Sequence, residues 1–247
     1  MAETNDLLEK FTVNLSQAQK YHLVPFCATC LVYFTLYMPF WGYPPETLGS
    51  VFFKILPIFS LYFYVTCASK EFKGSITKKE DLIPKENRSG YFQMALLFSS
   101  LGDACLVWRK LLFVPGLLSF AVAQGMYFKG LEEDAKASRT KTLFILLGLS
   151  VFMFLKDGID SYILTVLVGL YLTLIFAMGW RATARYEAEE SKAAFLGCIG
   201  ALLFIFSDFI IAVDKWCFMV PCASFLIMTS YYVAQLCLAL STTKDLQ

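Results

Sequence analysis

Eight stretches of this chain are apolar for long enough to call for a solvent other than water: His22 to Phe40, Ser50 to Ala68, Tyr91 to Trp108, Leu111 to Phe128, Thr142 to Leu155, Tyr162 to Trp180, Ala193 to Val213 and Trp216 to Leu240. A helix needs about 20 such residues to cross the hydrocarbon core of a bilayer. The period-two alternation of a β-barrel is absent, and helices are then the remaining way to satisfy backbone polar groups in lipid. The chain therefore reads as an all-α integral membrane protein with eight transmembrane helices. Only 17% of its residues are charged, against about 25% in soluble domains. The fifth stretch is short and spans only if Lys141 and Lys156 snorkel to the two interfaces.

The basic residues orient the bundle. With the N-terminus cytoplasmic, that side holds Lys10 and Lys20, six basic residues from Lys70 to Arg88, four from Lys129 to Lys141, three from Arg181 to Lys192, and Lys244. The other side holds Arg109, Lys110, Lys156 and Lys215. Both termini are accordingly expected in the cytoplasm, and the sequons at Asn14 and Asn87 are expected to stay unglycosylated. Residues 1–21 are polar and lack the pattern of a cleaved signal peptide, so the first apolar run is expected to remain as an anchor. No linker divides the chain, and it reads as one domain: an N-terminal segment 1–21, a bundle 22–240 and a tail 241–247. A net charge of +1 supplies no basic field of the kind nucleic-acid binders use, which excludes that partner class. The eight cysteines lie in or beside apolar runs, and the Cys27-x-x-Cys30 pair reads as packing rather than a metal or redox motif.

Lys54, Asp103 and Asp208 lie inside these runs, where an ionisable side chain costs several kcal/mol and usually marks function. Each sits about four or five residues from the middle of its span, roughly 6 to 8 Å at the helical rise, toward the non-cytoplasmic side. That shared depth predicts a polar cavity open to one leaflet; a buried ion triad that locks three helices is the structural alternative. Two carboxylates near one cation cannot both ionise freely, and one protonated beside one ionised Asp is an acid/base pair. Hydrogen-bonding groups surround them along the sequence: Ser99, Ser100 and Ser207 near the Asp residues, Gln124 and Tyr127, Tyr171, and Tyr231, Tyr232 and Gln235. Arg109, Lys110 and Asp214 fall at the non-cytoplasmic interface, as solvated helix ends or head-group contacts.

A faint repeat joins the two halves. Phe98-Ser99-Ser100-Leu101-Gly102-Asp103 is echoed by Phe204-Ile205-Phe206-Ser207-Asp208, with Leu106 and Ile211 three residues after each Asp. Pro115, Ser119-Phe120 and Ala123-Gln124 are echoed by Pro221, Ser224-Phe225 and Ala234-Gln235. A four-plus-four parallel duplication accounts for both, with chance likeness between apolar helices as the competing explanation. Soluble-enzyme motifs such as GxSxG, HExxH or a P-loop are absent, and the single His22 lies at a helix mouth, away from the Asp layer.

These residues resemble the YhhN-like lysoplasmalogenases. The similarity rests on Phe98-x-x-x-Gly102-Asp103-x-x-Leu106, Phe113-x-x-Gly116-Leu117-x-x-Phe120, Phe206-Ser207-Asp208-x-x-Ile211-Ala212, Tyr231-Tyr232-x-x-Gln235 and Lys54-x-x-Pro57. The resemblance implies hydrolysis of the vinyl ether bond of a lysophospholipid, the lysoplasmalogen, with Asp103 and Asp208 as the catalytic pair and no metal or organic cofactor. It implies supporting or substrate-binding places for Lys54, Ser100, Gln124, Tyr127, Ser207, Tyr231, Tyr232 and Gln235, and an endoplasmic reticulum membrane. Lys54 would compensate buried negative charge or meet the lipid phosphate. The family usually carries His where this chain has Gln124, and Gln cannot transfer a proton at neutral pH. A transporter and a catalytically silent lipid-binding protein remain the alternative classes at this point, and the oligomeric state is left open.

Overall fold

The computed structural model describes residues 16–37, 39–75, 88–131, 138 and 140–243. Lys10, Lys244, both sequon asparagines, residues 76–87 of the long basic loop and residues 132–137 with Arg139 lie outside the described residues. Among the described residues the regular structure is helical. Eight α-helices follow in order: α1 Gln17–Tyr37, α2 Leu48–Ser75, α3 Arg88–Cys105, α4 Phe113–Gly130, α5 Lys141–Leu155, α6 Tyr162–Glu189, α7 Lys192–Trp216 and α8 Ala223–Leu240.

Five of them, α2, α3, α6, α7 and α8, are long and apolar enough to cross a membrane, which makes this a multi-pass integral membrane protein. The other three fall short for identifiable reasons. Helix α1 opens on Gln17, Gln19, Lys20 and His22. Helix α4 carries Gln124 and Lys129 among its apolar residues. Helix α5 has only 15 residues, about 22 Å at 1.5 Å per residue.

Local chemistry sets the ends, and several differ from the apolar runs. Helix α1 begins before His22 because Ser16 and Gln19 form a capping box: the Gln19 N–H donates to Ser16 Oγ at 3.2 Å, and the Ser16 N–H to Gln19 Oε1 at 3.0 Å. Ser161 and Ser191 cap α6 and α7 by accepting from the Leu164 and Ala194 N–H groups. Helix α6 runs beyond Trp180 to Glu189, where Arg185 donates to the Glu189 carboxylate one turn on. The last helix does not start at Trp216. That residue ends α7, and the chain turns through Pro221 and a left-handed Cys222 (φ 54°) before α8.

Each helix packs on its sequence neighbour within the groups α1–α2–α3–α4 and α5–α6–α7–α8. Contacts that join the groups include α2 on α8 and α4 on α6. Bulky buried residues from most of the helices, including Tyr33, Tyr64, Phe92, Tyr127, Ile175 and Phe204, fill the centre. Close approach requires glycine at two points that position the centre. A Cβ on Gly102, beside Asp103, would lie 2.6 Å from the Phe120 ring, and one on Gly200 would meet the α8 backbone at Ala234 O and Leu238 N, both 2.9 Å away. All eight cysteines are free thiols.

Gly200→Val should force α7 from α8 and destabilise the detergent-solubilised protein by about 1–3 kcal/mol. The check is a lower thermal midpoint than wild type; an unchanged midpoint would mean that the α7–α8 contact is not this close.

Candidate active site

The sequence places Lys54 on α2 and Asp103 on α3, and the fold brings them together. Lys54 Nζ stands 3.2 Å from Asp103 Oδ1 and also donates to the Asp103 carbonyl oxygen at 3.3 Å. The other carboxylate oxygen, Oδ2, accepts from the Tyr231 hydroxyl of α8 at 2.6 Å. Tyr232, next along α8, donates to the Lys54 carbonyl at 2.9 Å. Asp103 is 2% exposed. In low dielectric such a pair survives because its charges and hydrogen bonds are satisfied together.

Asp208 on α7 is placed differently. It accepts from the Tyr171 hydroxyl of α6, and among the described residues no Lys or Arg forms an ion pair with it. It is half-buried because one face lines a cavity. Asp103 lies within Coulombic reach of it. The three charges therefore do converge, with one carboxylate neutralised by a cation and the other facing apolar walls.

Two polar arms extend from the aspartates. Tyr127 donates to Gln235 Oε1, and Gln235 in turn lies beside Tyr231. Gln124 is 0% exposed and lies near the Tyr171 hydroxyl, yet neither of its amide atoms has a hydrogen-bond partner. The hydroxyls of Ser100 and Ser207 bond to backbone carbonyls rather than to the aspartates. The Ser100 hydroxyl donates to its own helix at Leu96 O (2.9 Å), and that of Ser207 ties α7 to α8 through Ile227 O (3.1 Å).

Two cavities meet here. The first is walled by apolar side chains of α4 to α7, including Phe120, Val151, Leu172 and Phe176, with Asp208 and Tyr171 as its polar groups. The second is lined by Lys54 and Arg109 together with Tyr33, Tyr43 and Ser224. Leu106, Phe113 and Ile211 line both. Leu106 and Ile211 are the residues three beyond each Asp that stand out in the sequence.

A polar cluster at the end of the bundle borders the second cavity. Arg109 stacks on the Tyr43 ring at 3.6 Å and lies 3.6 Å from Asp214 Oδ2, to which the Tyr43 hydroxyl donates at 2.6 Å. The Val220 N–H donates to Asp214 Oδ1 at 3.1 Å. Burial and that bond to Asp214 push the Tyr43 hydroxyl up to about 12, so it is a donor throughout the physiological range. Tyr33, Tyr43 and Ser224 are the residues that sequence reasoning missed. Neutral hydroxyls in an aromatic-rich chain carry no signal comparable with a charge in an apolar run.

The sequence model of the YhhN family matches residues 49–242. The chain is 35% identical to lysoplasmalogenase TMEM86A of Bos taurus, over 97% of this chain and 95% of that protein. It is 36% identical to lysoplasmalogenase TMEM86A of Homo sapiens over the same shares, 97% and 95%. Lysoplasmalogenase TMEM86B of Homo sapiens is 31% identical, over 90% of this chain and 87% of that protein. No solved structure matches the chain.

Lys54→Met strands the buried Asp103 carboxylate without its cation. It should destabilise the fold by about 3–5 kcal/mol, read as a fall in thermal midpoint. The double variant Lys54→Met with Asp103→Leu should recover most of that loss. A single variant as stable as wild type would contradict the pairing.

Proposed function

This chain belongs to the YhhN family, and we propose that it hydrolyses the vinyl ether bond of lysoplasmalogens, releasing a fatty aldehyde and glycerophosphocholine or glycerophosphoethanolamine. The observation that carries this reading is the asymmetry of the two aspartates. Asp103 has Lys54 at 3.2 Å, whereas Asp208 has only the Tyr171 hydroxyl and an apolar cavity before it. Asp208 is then the acid and Asp103 the carboxylate.

Asp208 delivers its proton to the vinyl carbon remote from the ether oxygen, leaving an oxocarbenium ion. The Asp103 carboxylate faces that cation and takes a proton from water as its oxygen bonds to the cationic carbon. The hemiacetal so formed breaks its bond to the glycerol oxygen, which leaves protonated, and the aldehyde departs. One water is consumed, and proton return from Asp103 to Asp208 closes the cycle. Tyr231 and Tyr171 orient the two carboxyl groups, and Gln124 acts on Asp208 through Tyr171 as a positioning residue. In that place an amide serves where the family usually carries His.

The same reading takes all eight helices as spans of one bundle, with α5 reaching the interfaces through Lys141 and Lys156. Quasi-equivalent packing supports a four-plus-four repeat: α2 on α8 corresponds to α6 on α4, and in each half the second helix supplies the partner of the third helix's Asp. The excess of basic residues supports cytoplasmic termini, and an endoplasmic reticulum membrane is the family expectation. A transporter would need a polar route to the opposite end. There Arg185, 1% exposed, is held by Glu189 and the Ser241 carbonyl, which favours a one-sided lipid enzyme.

The test is aldehyde release from a purified lysoplasmalogen. Asp103→Asn and Asp208→Asn should each lower kcat by about 10²–10⁴-fold. No release by folded, monodisperse wild type would overturn the reading.

A further inference from the structure

The second cavity has an unusual lining for a space inside a membrane bundle. Besides Lys54 and Arg109 its lining includes Tyr33 of α1 and Ser224 of α8. These residues are 0% and 3% exposed, and neither hydroxyl has a hydrogen-bond partner. A buried donor left unmet is costly, so two such residues in one lining with two cations suit an acceptor-rich ligand. Lys54 and Arg109, the two cations that line this cavity, are each held by a carboxylate on one side, Asp103 and Asp214.

We propose that this cavity binds the phosphodiester of a lysophospholipid head group, while the aliphatic chain of the same molecule occupies the first cavity. The proposal rests on the hydrolase reading above and names how that site holds its substrate. A phosphodiester carries one negative charge and several acceptor oxygens, which suits a lining of two cationic side chains and two residues with unmet hydroxyls. The first cavity supplies apolar walls for a chain. A lipid so placed crosses the shared wall of Leu106, Phe113 and Ile211. Its glycerol and first chain atoms then lie between Asp103, reached from the second cavity through Lys54, and Asp208, which lines the first. The bond to be cleaved adjoins the glycerol oxygen, which is the segment that this arrangement sets between the carboxyl groups.

The test uses the full chain in a maltoside detergent and three probes: a saturated 1-alkyl-glycerophosphocholine, the 1-alkylglycerol of the same chain length, and inorganic phosphate alone. Dissociation constants are measured for wild type, Tyr33→Phe and Ser224→Ala. Both variants delete a hydroxyl that holds no partner in the fold, so both are expected to fold normally. The phosphocholine probe should bind wild type about tenfold more tightly than the alkylglycerol, as expected for hydrogen bonds to a charged group. Each variant should lose much of that advantage while binding the alkylglycerol as before. Equal affinity for the two lipids, or an advantage that survives both substitutions, would overturn the proposal. Inorganic phosphate binding as tightly as the phosphocholine probe would overturn it too, by making the cavity a site for the free anion. Neither lipid probe contains a vinyl ether, so the outcome stands whether or not wild type releases aldehyde, and failure of the head-group site is read separately from failure of the hydrolase reading.

Discussion

In hydrocarbon an ammonium and a carboxylate persist only when they neutralise one another, and the Lys54–Asp103 contact at 3.2 Å is the interaction to which the rest of this structure is fitted. It fixes α2 against α3. Through Tyr231 on Asp103 and Tyr232 on the Lys54 carbonyl, it also fixes α8 against both. The Tyr231 phenol meets the second carboxylate oxygen, which helps offset the desolvation of the two charges. Gly102 lets Phe120 close over the neighbouring turn, so apolar packing and charge pairing meet at one point.

That pairing makes the two aspartates unlike. One is neutralised and nearly sealed at 2% exposure, while the other borders an apolar cavity with Tyr171 as its support. Division of labour between two carboxyl groups arises elsewhere from environments that push them apart. Here the difference comes from the placement of a single lysine. The cavities divide in the same way, with the cations in one and the apolar walls in the other. This polarity suits an amphiphile better than a small hydrophilic solute.

Much of this was legible in the sequence because a charge in an apolar run is costly and demands a partner or a role. Lys54, Asp103 and Asp208 stood out for that reason, and the fold brings them together. Apolar length marked where the helices lie but not where they end. Capping by Ser16 and Gln19, the Arg185–Glu189 pair and the left-handed turn at Cys222 decide the ends, and these act after the hydropathy changes. Ser100 and Ser207 looked like partners of the aspartates by adjacency, yet a serine on a helix readily returns its hydroxyl to a carbonyl one turn back, as Ser100 does. Tyr33 carried no signal and Ser224 entered only as part of the repeat, because only the fold brings these two distant residues to one cavity.

The central claim is that a carboxylic acid held in the bundle protonates carbon, and the most direct measurement is hydrolysis of a lysoplasmalogen in D₂O followed by mass spectrometry of the aldehyde. The account predicts a single deuterium on the carbon next to the aldehyde group, together with loss of product formation in Asp208→Asn. Aldehyde formed without deuterium at that carbon, or formed equally well by Asp208→Asn, would contradict it.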